Sequence, residues 1–193
     1  MLNVDGKPFD FSGSLDATWD MIWQLLVRGV ADRYAPERHP TLATTGLDGS
    51  PQLRTVVLRA VDRAETRLDC HTDLRSAKIS ELETDPRCAI HIWNPKRKLQ
   101  MRIGATAELQ AGADVDDVWQ RVPEVSRHAY GGTHLPGAPI DDPTDFEPAP
   151  ERTRFGVVML GLHSVETLCL APDRHYRALY LKEDDWRGQW LAP

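Results

Sequence analysis

The run Thr41-Leu-Ala-Thr-Thr-Gly46-Leu-Asp-Gly49-Ser-Pro-Gln52-Leu-Arg54-Thr-Val-Val-Leu-Arg59-Ala-Val61 decides the fold class. Threonine, valine and leucine dominate both arms, and Gly46-Leu-Asp-Gly49 between them is a turn. The stretch therefore reads as two strands, Thr41 to Thr45 and Gln52 to Val61, folded back on one another. Downstream, Leu68 to Thr72 gives a third strand. Ser76 to Leu82 reads as a short helix with Ser76 as its cap, closed by Pro86. Arg87 to Trp93 and Leu99 to Leu109 form a strand pair around the basic turn Asn94-Pro-Lys-Arg-Lys98. Asp114 to Val122 opens with acids that suit a helix N-terminus. Four strands follow at Phe155 to Leu162, Val165 to Leu170, His175 to Lys182 and Trp186 to Leu191.

Upstream, Leu15, Trp19, Ile22, Trp23, Leu26 and Val30 recur at three-to-four spacing. They predict a helix from Leu15 to about Tyr34, capped by Ser14 and ended by Pro36 and Pro40, whose stripe serves the core or a subunit contact. Residues 131–152 carry five prolines and three glycines and predict an irregular loop within the domain. Strands outnumber helices and are joined by short turns. The expected fold is mainly β (α+β), an antiparallel closed or partly closed barrel with flanking helices. It forms one domain over 1–193, the N-terminal helix lying within 1–36.

Composition narrows the function classes. With 193 residues, 41% hydrophobic and 27% charged, the chain suits one globular domain and not a disordered one. A net charge of −6 argues against a nucleic-acid partner. Residues 52–103 nevertheless hold 11 Lys/Arg against 7 Asp/Glu, and a basic stretch in an acidic chain points to a small anionic ligand. No apolar run is long enough to span a membrane. Met1-Leu-Asn-Val-Asp-Gly6 lacks a basic-then-apolar secretion pattern. Three widely spaced cysteines without CxxC suit a reducing compartment, so a cytoplasmic location is expected.

The residues that could carry chemistry cluster in that basic stretch. Arg54 and Arg59 bracket a strand at odd spacing, which sends them to opposite faces unless a twist or bulge intervenes. Arg75, Ser76 and Lys78 open the short helix, where free N–H groups and cations suit a phosphate. The seven histidines form no HxxxH or HExxH pattern, so no metal site is expected. Neither GxSxG nor GxGxxG occurs. Cys88 reads as a small core residue rather than a nucleophile.

Taken together, Arg54-Thr-Val-Val-Leu-Arg59, His71-Thr72-Asp-Leu-Arg75-Ser76-Ala-Lys78, and Gln100 ahead of Gly104-Ala105 resemble the pyridoxamine 5′-phosphate oxidase-like flavoproteins. Arg177, Trp186 and the final Leu191-Ala-Pro193 are similar to that family's ending. The resemblance spans roughly residues 40–110 and 155–193. It implies a split β-barrel homodimer with FMN at the subunit interface, acting as an oxidoreductase on a small substrate. Arg54 and the Ser76–Lys78 segment would hold the FMN phosphate. Thr55, Val56, Val57, Leu58 and Arg59 would run beside the cofactor, with His71, Thr72 and Gln100 along its ribityl chain and ring. Arg75 would stand in for an arginine that the family often has at the position of Ala77, and Arg177 would reach FMN from the other subunit.

The departures concern substrate. His175 matches the histidine of a C-terminal Arg-Leu-His in the oxidase proper and is the candidate catalytic residue, but in Asp173-Arg174-His175 the arginine is displaced by one residue or lost. Leu168 stands where a tryptophan is expected. Arg121, Ser126, Arg127 and Tyr130 do not reproduce the spacing of the Tyr/Arg/Ser cluster that grips the oxidase's substrate phosphate. The resemblance thus implies a related branch, with weak or absent pyridoxamine 5′-phosphate oxidation. The alternative reading is a non-catalytic flavin- or haem-binding module.

Overall fold

One long strand, β7 (Phe155–Leu170), organises the molecule. In the computed structural model, residues 14–172 and 174–193 are described; Asp173 and the Met1–Gly6 reading lie outside them. One edge of β7 pairs along its length with β6 (Leu99–Gln110). The other edge is shared: Phe155 to Gly161 pairs with β4 (Arg67–Asp73), and Ser164 to Leu170 pairs with β8 (His175–Leu181). Outward from these lie β5 (Arg87–Asn94), β1 (Thr41–Thr45) and β2 (Pro51–Thr55) on the β6 side. β3 (Leu58–Asp62) lies beyond β4, and β9 (Gly188–Leu191) beyond β8. Every pairing is antiparallel, as the sequence predicts, but the ladder does not close into a ring.

Three elements differ from the sequence reading for identifiable reasons. The strand expected over 52–61 breaks at Val56-Val57, where the Val56 N–H donates to the Pro40 carbonyl at 2.9 Å; β2 then stays with β1 while β3 crosses to β4. The two strands expected over 155–170 are one, because His163 is accommodated as a bulge between the pairs Gly104↔Ser164 and Ala105↔Leu162. Gly104 leaves room there for the His163 ring, which a Cβ would approach to 2.4 Å. The helix over 114–122 shortens to α3 (Asp116–Arg121), entered through a 3-10 turn at Gly112–Val115.

Helix α1 (Leu15–Ala31) begins where Ser14 Oγ accepts from the Ala17 N–H, and it ends earlier than Tyr34. Met21, Ile22, Trp23, Leu25 and Leu26 are at most 3% exposed. Trp19 stacks on Trp186 and Tyr180 with ring centroids 5.0 and 4.9 Å apart. The aromatic stripe is therefore consumed by the protein's own core, leaving little of it for an interface. Residues 131–151 are irregular apart from one 3-10 turn, Pro143–Asp145, and a second 3-10 turn, Arg152–Arg154, leads into β7. Among the described residues, no helix is long and apolar enough to cross a membrane.

Candidate functional site

Strand β4 separates two groups of polar side chains by its alternation. Thr72 is buried and turns toward the short helix α2 (Ala77–Thr84), whereas Arg67, Asp69 and His71 line a cavity on the other face. Arg54 and Arg59 follow the same division. Arg54 reaches Thr44 and Glu81 on the α2 side; Arg59 lines the cavity, at the register shift between Leu58 and Ala60. The two arginines part because the chain breaks between them, β2 staying with β1 and β3 crossing to β4, and not through parity along one regular strand.

On the α2 side the sequence-predicted residues converge. Lys78 Nζ donates to Ser76 Oγ at 2.9 Å and to Thr72 Oγ1 at 3.2 Å, and those hydroxyls lie 3.1 Å apart. Ser76 occupies the N-cap position by backbone, but its hydroxyl bonds the Asp73 carbonyl at 2.7 Å instead of capping the helix. Burial, then the nearby Arg54 guanidinium, lowers the Lys78 pKa from its ordinary value. A lysine held by neutral hydroxyls, beside an arginine, at the opening of a helix is a cradle suited to a phosphate.

Arg75 sits apart from this cradle. Its guanidinium donates to Asp73 through Nε at 3.1 Å and Nη2 at 2.9 Å, and to the Gly132 carbonyl at 3.2 Å. Asp73 also accepts from the Gly131 N–H at 2.9 Å. Burial opposes ionisation of Asp73, yet the Arg75 and Gly131 bonds together hold its carboxyl below the usual range. This pair fastens the 131–152 loop to the turn before α2.

The cavity on the other face measures about 610 Å³. Arg38, Arg59, Arg67 and Arg121 line it with Asp69 and His71, while Val118, Val122, Pro123, Val157 and Met159 supply an apolar side. Arg38 is tied to the Val30 carbonyl at 2.8 Å, Arg67 to Asp69 at 3.0 Å, and Arg121 to the Asp117 carbonyl at 3.0 Å. Arg59 meets the Tyr130 hydroxyl. Its Nε, like His71 Nδ1, is buried without a hydrogen-bond partner. Burial, with the Arg59 guanidinium, pushes the His71 imidazole down to about 4, so it is neutral at pH 7. A cationic cavity with an apolar wall suits a small anion carrying an apolar body.

The remaining predicted residues lie elsewhere in the protomer. Gln100 and Arg177 both pair with Leu168, eleven positions along β7 from Val157, the partner of His71. At about 3.3 Å per residue this is roughly 36 Å of strand path. Arg177 bonds Glu166 at 2.9 Å, and His175 is exposed at the start of β8. Thr55 is exposed, Val57 is half-buried, and Val56 and Leu58 belong to the core. Glu81, Thr44 and the cavity arginines Arg38 and Arg67 escaped the sequence reading. Glu81 follows Lys78 by three residues, a helical spacing that places both on neighbouring faces of α2.

Residues 17–111 match the family model for the FMN-binding domain of pyridoxamine 5′-phosphate oxidase, which includes Arg54, Lys78 and Gln100. A pyridoxine/pyridoxamine 5′-phosphate oxidase of Thermosynechococcus vestitus is 38% identical over 87 residues, 45% of this chain. The match spans only 40% of that relative's length. The solved structure of a pyridoxamine 5′-phosphate oxidase-related, FMN binding protein from Nostoc punctiforme superposes with a TM-score of 0.76 at 27% identity, covering 90% of this chain and 96% of that one. PhzG from Burkholderia lata, solved with tetrahydrophenazine-1-carboxylic acid, superposes with a TM-score of 0.73 at 19% identity over 91% and 92% of the two chains, a likeness of fold.

Proposed function

This chain belongs to the pyridoxamine 5′-phosphate oxidase-like, FMN-binding family, and from that premise we propose that it is an FMN-dependent oxidoreductase acting on a small anionic substrate. The observation that carries the reading is the Lys78–Ser76–Thr72 cradle beside Arg54, inside the segment that matches the FMN-binding model. These residues fit the group: two cations and two hydroxyls meet the needs of a phosphate monoester. FMN, when bound, supplies the redox chemistry. The protein's own part is to hold the phosphate, orient the ring and offer the arginine-lined cavity to the substrate.

The working unit is a homodimer. The long strand path between His71 and the Gln100–Arg177 pair supports a site completed by a second copy, with Arg177 and His175 contributed across the interface. Cys70, Cys88 and Cys169 form no disulfide among the described residues, which favours a reducing compartment such as the cytoplasm. Burial pushes the Cys70 and Cys88 thiols up to about 12, so neither serves as a nucleophile.

The absorbance spectrum of freshly purified protein tests the reading. A flavin band that bleaches anaerobically on adding an amine or a reduced nicotinamide supports the oxidoreductase. A flavin band that no reductant bleaches favours the binding module, and a protein that takes up no FMN overturns both.

A further inference from the structure

Arg54 does not meet the cradle as an unpaired cation. Its Nη2 donates to Glu81 Oε2 at 2.6 Å, and its Nη1 donates to Thr44 Oγ1. Thr44 in turn donates to the same carboxylate oxygen at 2.5 Å. The three side chains close a ring across β1, β2 and α2. The Glu81 side chain is 7% exposed and that of Arg54 is 22% exposed, so the arginine keeps some access to the surface beside a buried carboxylate.

A carboxylate here has two consequences. It fixes the guanidinium, because moving Arg54 away would strand a buried charge. It also cancels one of the two cationic charges that a phosphate would meet. The Asp73–Arg75 pair on the adjoining turn is neutral as a unit and restores nothing. The cradle therefore offers a net charge of about one to a ligand whose phosphate carries nearly two.

Building on the FMN reading above, we propose that Glu81 is a specificity-determining residue of the cradle: it positions Arg54 while limiting how strongly the site prefers a phosphorylated flavin over the same flavin without phosphate. Direct contact with the ligand is not required. A unit charge several ångströms from the phosphate in a partly buried site is enough to change affinity by an order of magnitude.

The test titrates full-length protein with FMN and with riboflavin, following flavin fluorescence, in the wild type and in Glu81→Gln, Glu81→Met and Arg54→Ala. Glutamine keeps an acceptor for Arg54, and methionine fills the volume without charge. Both are expected to raise FMN affinity about tenfold and leave riboflavin affinity unchanged. A folded Glu81→Gln or Glu81→Met variant whose FMN-to-riboflavin preference is unchanged or reduced overturns the proposal while leaving the cradle intact. If neither variant folds by circular dichroism, Glu81 is a structural anchor and the proposal also falls. If the wild type and Arg54→Ala bind both flavins alike, the FMN cradle itself is wrong, and this inference goes with it.

Discussion

Lys78 has two hydroxyl partners and no carboxylate within bonding distance, unlike Arg54 and Arg75, each of which is paired with a carboxylate. Its charge is thus less neutralised than that of Arg54 or Arg75, and an incoming phosphate depends on it most. Lys78→Ala is expected to weaken FMN binding at least tenfold and riboflavin binding much less, because the loss leaves phosphate oxygens unpaired. Equal losses for both ligands would remove Lys78 from the phosphate site. His71 makes a prediction of a different kind. Its folded-state pKa of about 4 lies below the ordinary value near 6.5, so the unfolded chain takes up the proton first. The stabilising contribution is complete above pH 6.5 and is lost as pH falls toward 4. After allowing for partial solvation, this amounts to about 2 kcal/mol. Urea unfolding at pH 7 and pH 4.5 should show a smaller acid loss in His71→Phe than in the wild type; identical losses would contradict the assignment.

The helices and loops around the cavity explain both what the sequence revealed and what it concealed. Period-two and period-3.6 patterns located α1, α2 and most strands, because each buries one face against a single layer. The same logic does not account for the separation of Arg54 and Arg59, which lie on different strands. It missed the break at Val56-Val57 and the bulge at His163, which are set by distant partners: Pro40 for the first and Gly104 for the second. It also missed the Arg54–Thr44–Glu81 ring, whose members come from three elements. Gly131, with φ of +118°, is where the long loop meets Asp73, and a Cβ there would lie 2.1 Å from the Ala149 carbonyl oxygen. Gly131→Ala should therefore loosen 131–152, seen as faster limited proteolysis within that loop at unchanged core stability. Helix α3 makes a prediction about substrate: with its neighbours it presents Val118, Val122 and Pro123 to the cavity, and its Arg121 is tied back to Asp117. Pyridoxamine 5′-phosphate would meet arginines that are largely engaged already, Arg38 by the Val30 carbonyl, Arg67 by Asp69 and Arg121 by the Asp117 carbonyl, so holding its phosphate means giving up those bonds, at a cost on the order of several kcal/mol. Its turnover, read as hydrogen peroxide release, should be at least a hundredfold less efficient than an oxidase requires. Turnover near about one per second at micromolar substrate would restore the plain oxidase reading.

At the scale of the whole molecule, the separation of Lys78 from Arg177 gives the dimer a functional test beyond its mass. If each site takes Lys78 from one copy and Arg177 from the other, Lys78→Ala and Arg177→Ala homodimers should both bind FMN poorly. Mixing and refolding the two variants should then restore one complete site in each heterodimer, measured as recovered tight FMN binding. No recovery, or a monomer by light scattering that still holds stoichiometric FMN, would place each site within one chain. The sharing of β7 between β4 and β8 has a further consequence, one of timing. Residues 67–73 pair with residues 155–161, more than eighty positions later, whereas β5 finds β6 almost at once. On a ribosome adding about 5–20 residues per second, the β3–β4 hairpin emerges with one edge unpaired and waits several seconds for its neighbour. An open strand edge is what drives wrong pairing between nascent chains. Arg67 and Asp69, which stand on that waiting strand and later line the cavity, also give it charges that resist such pairing during biosynthesis.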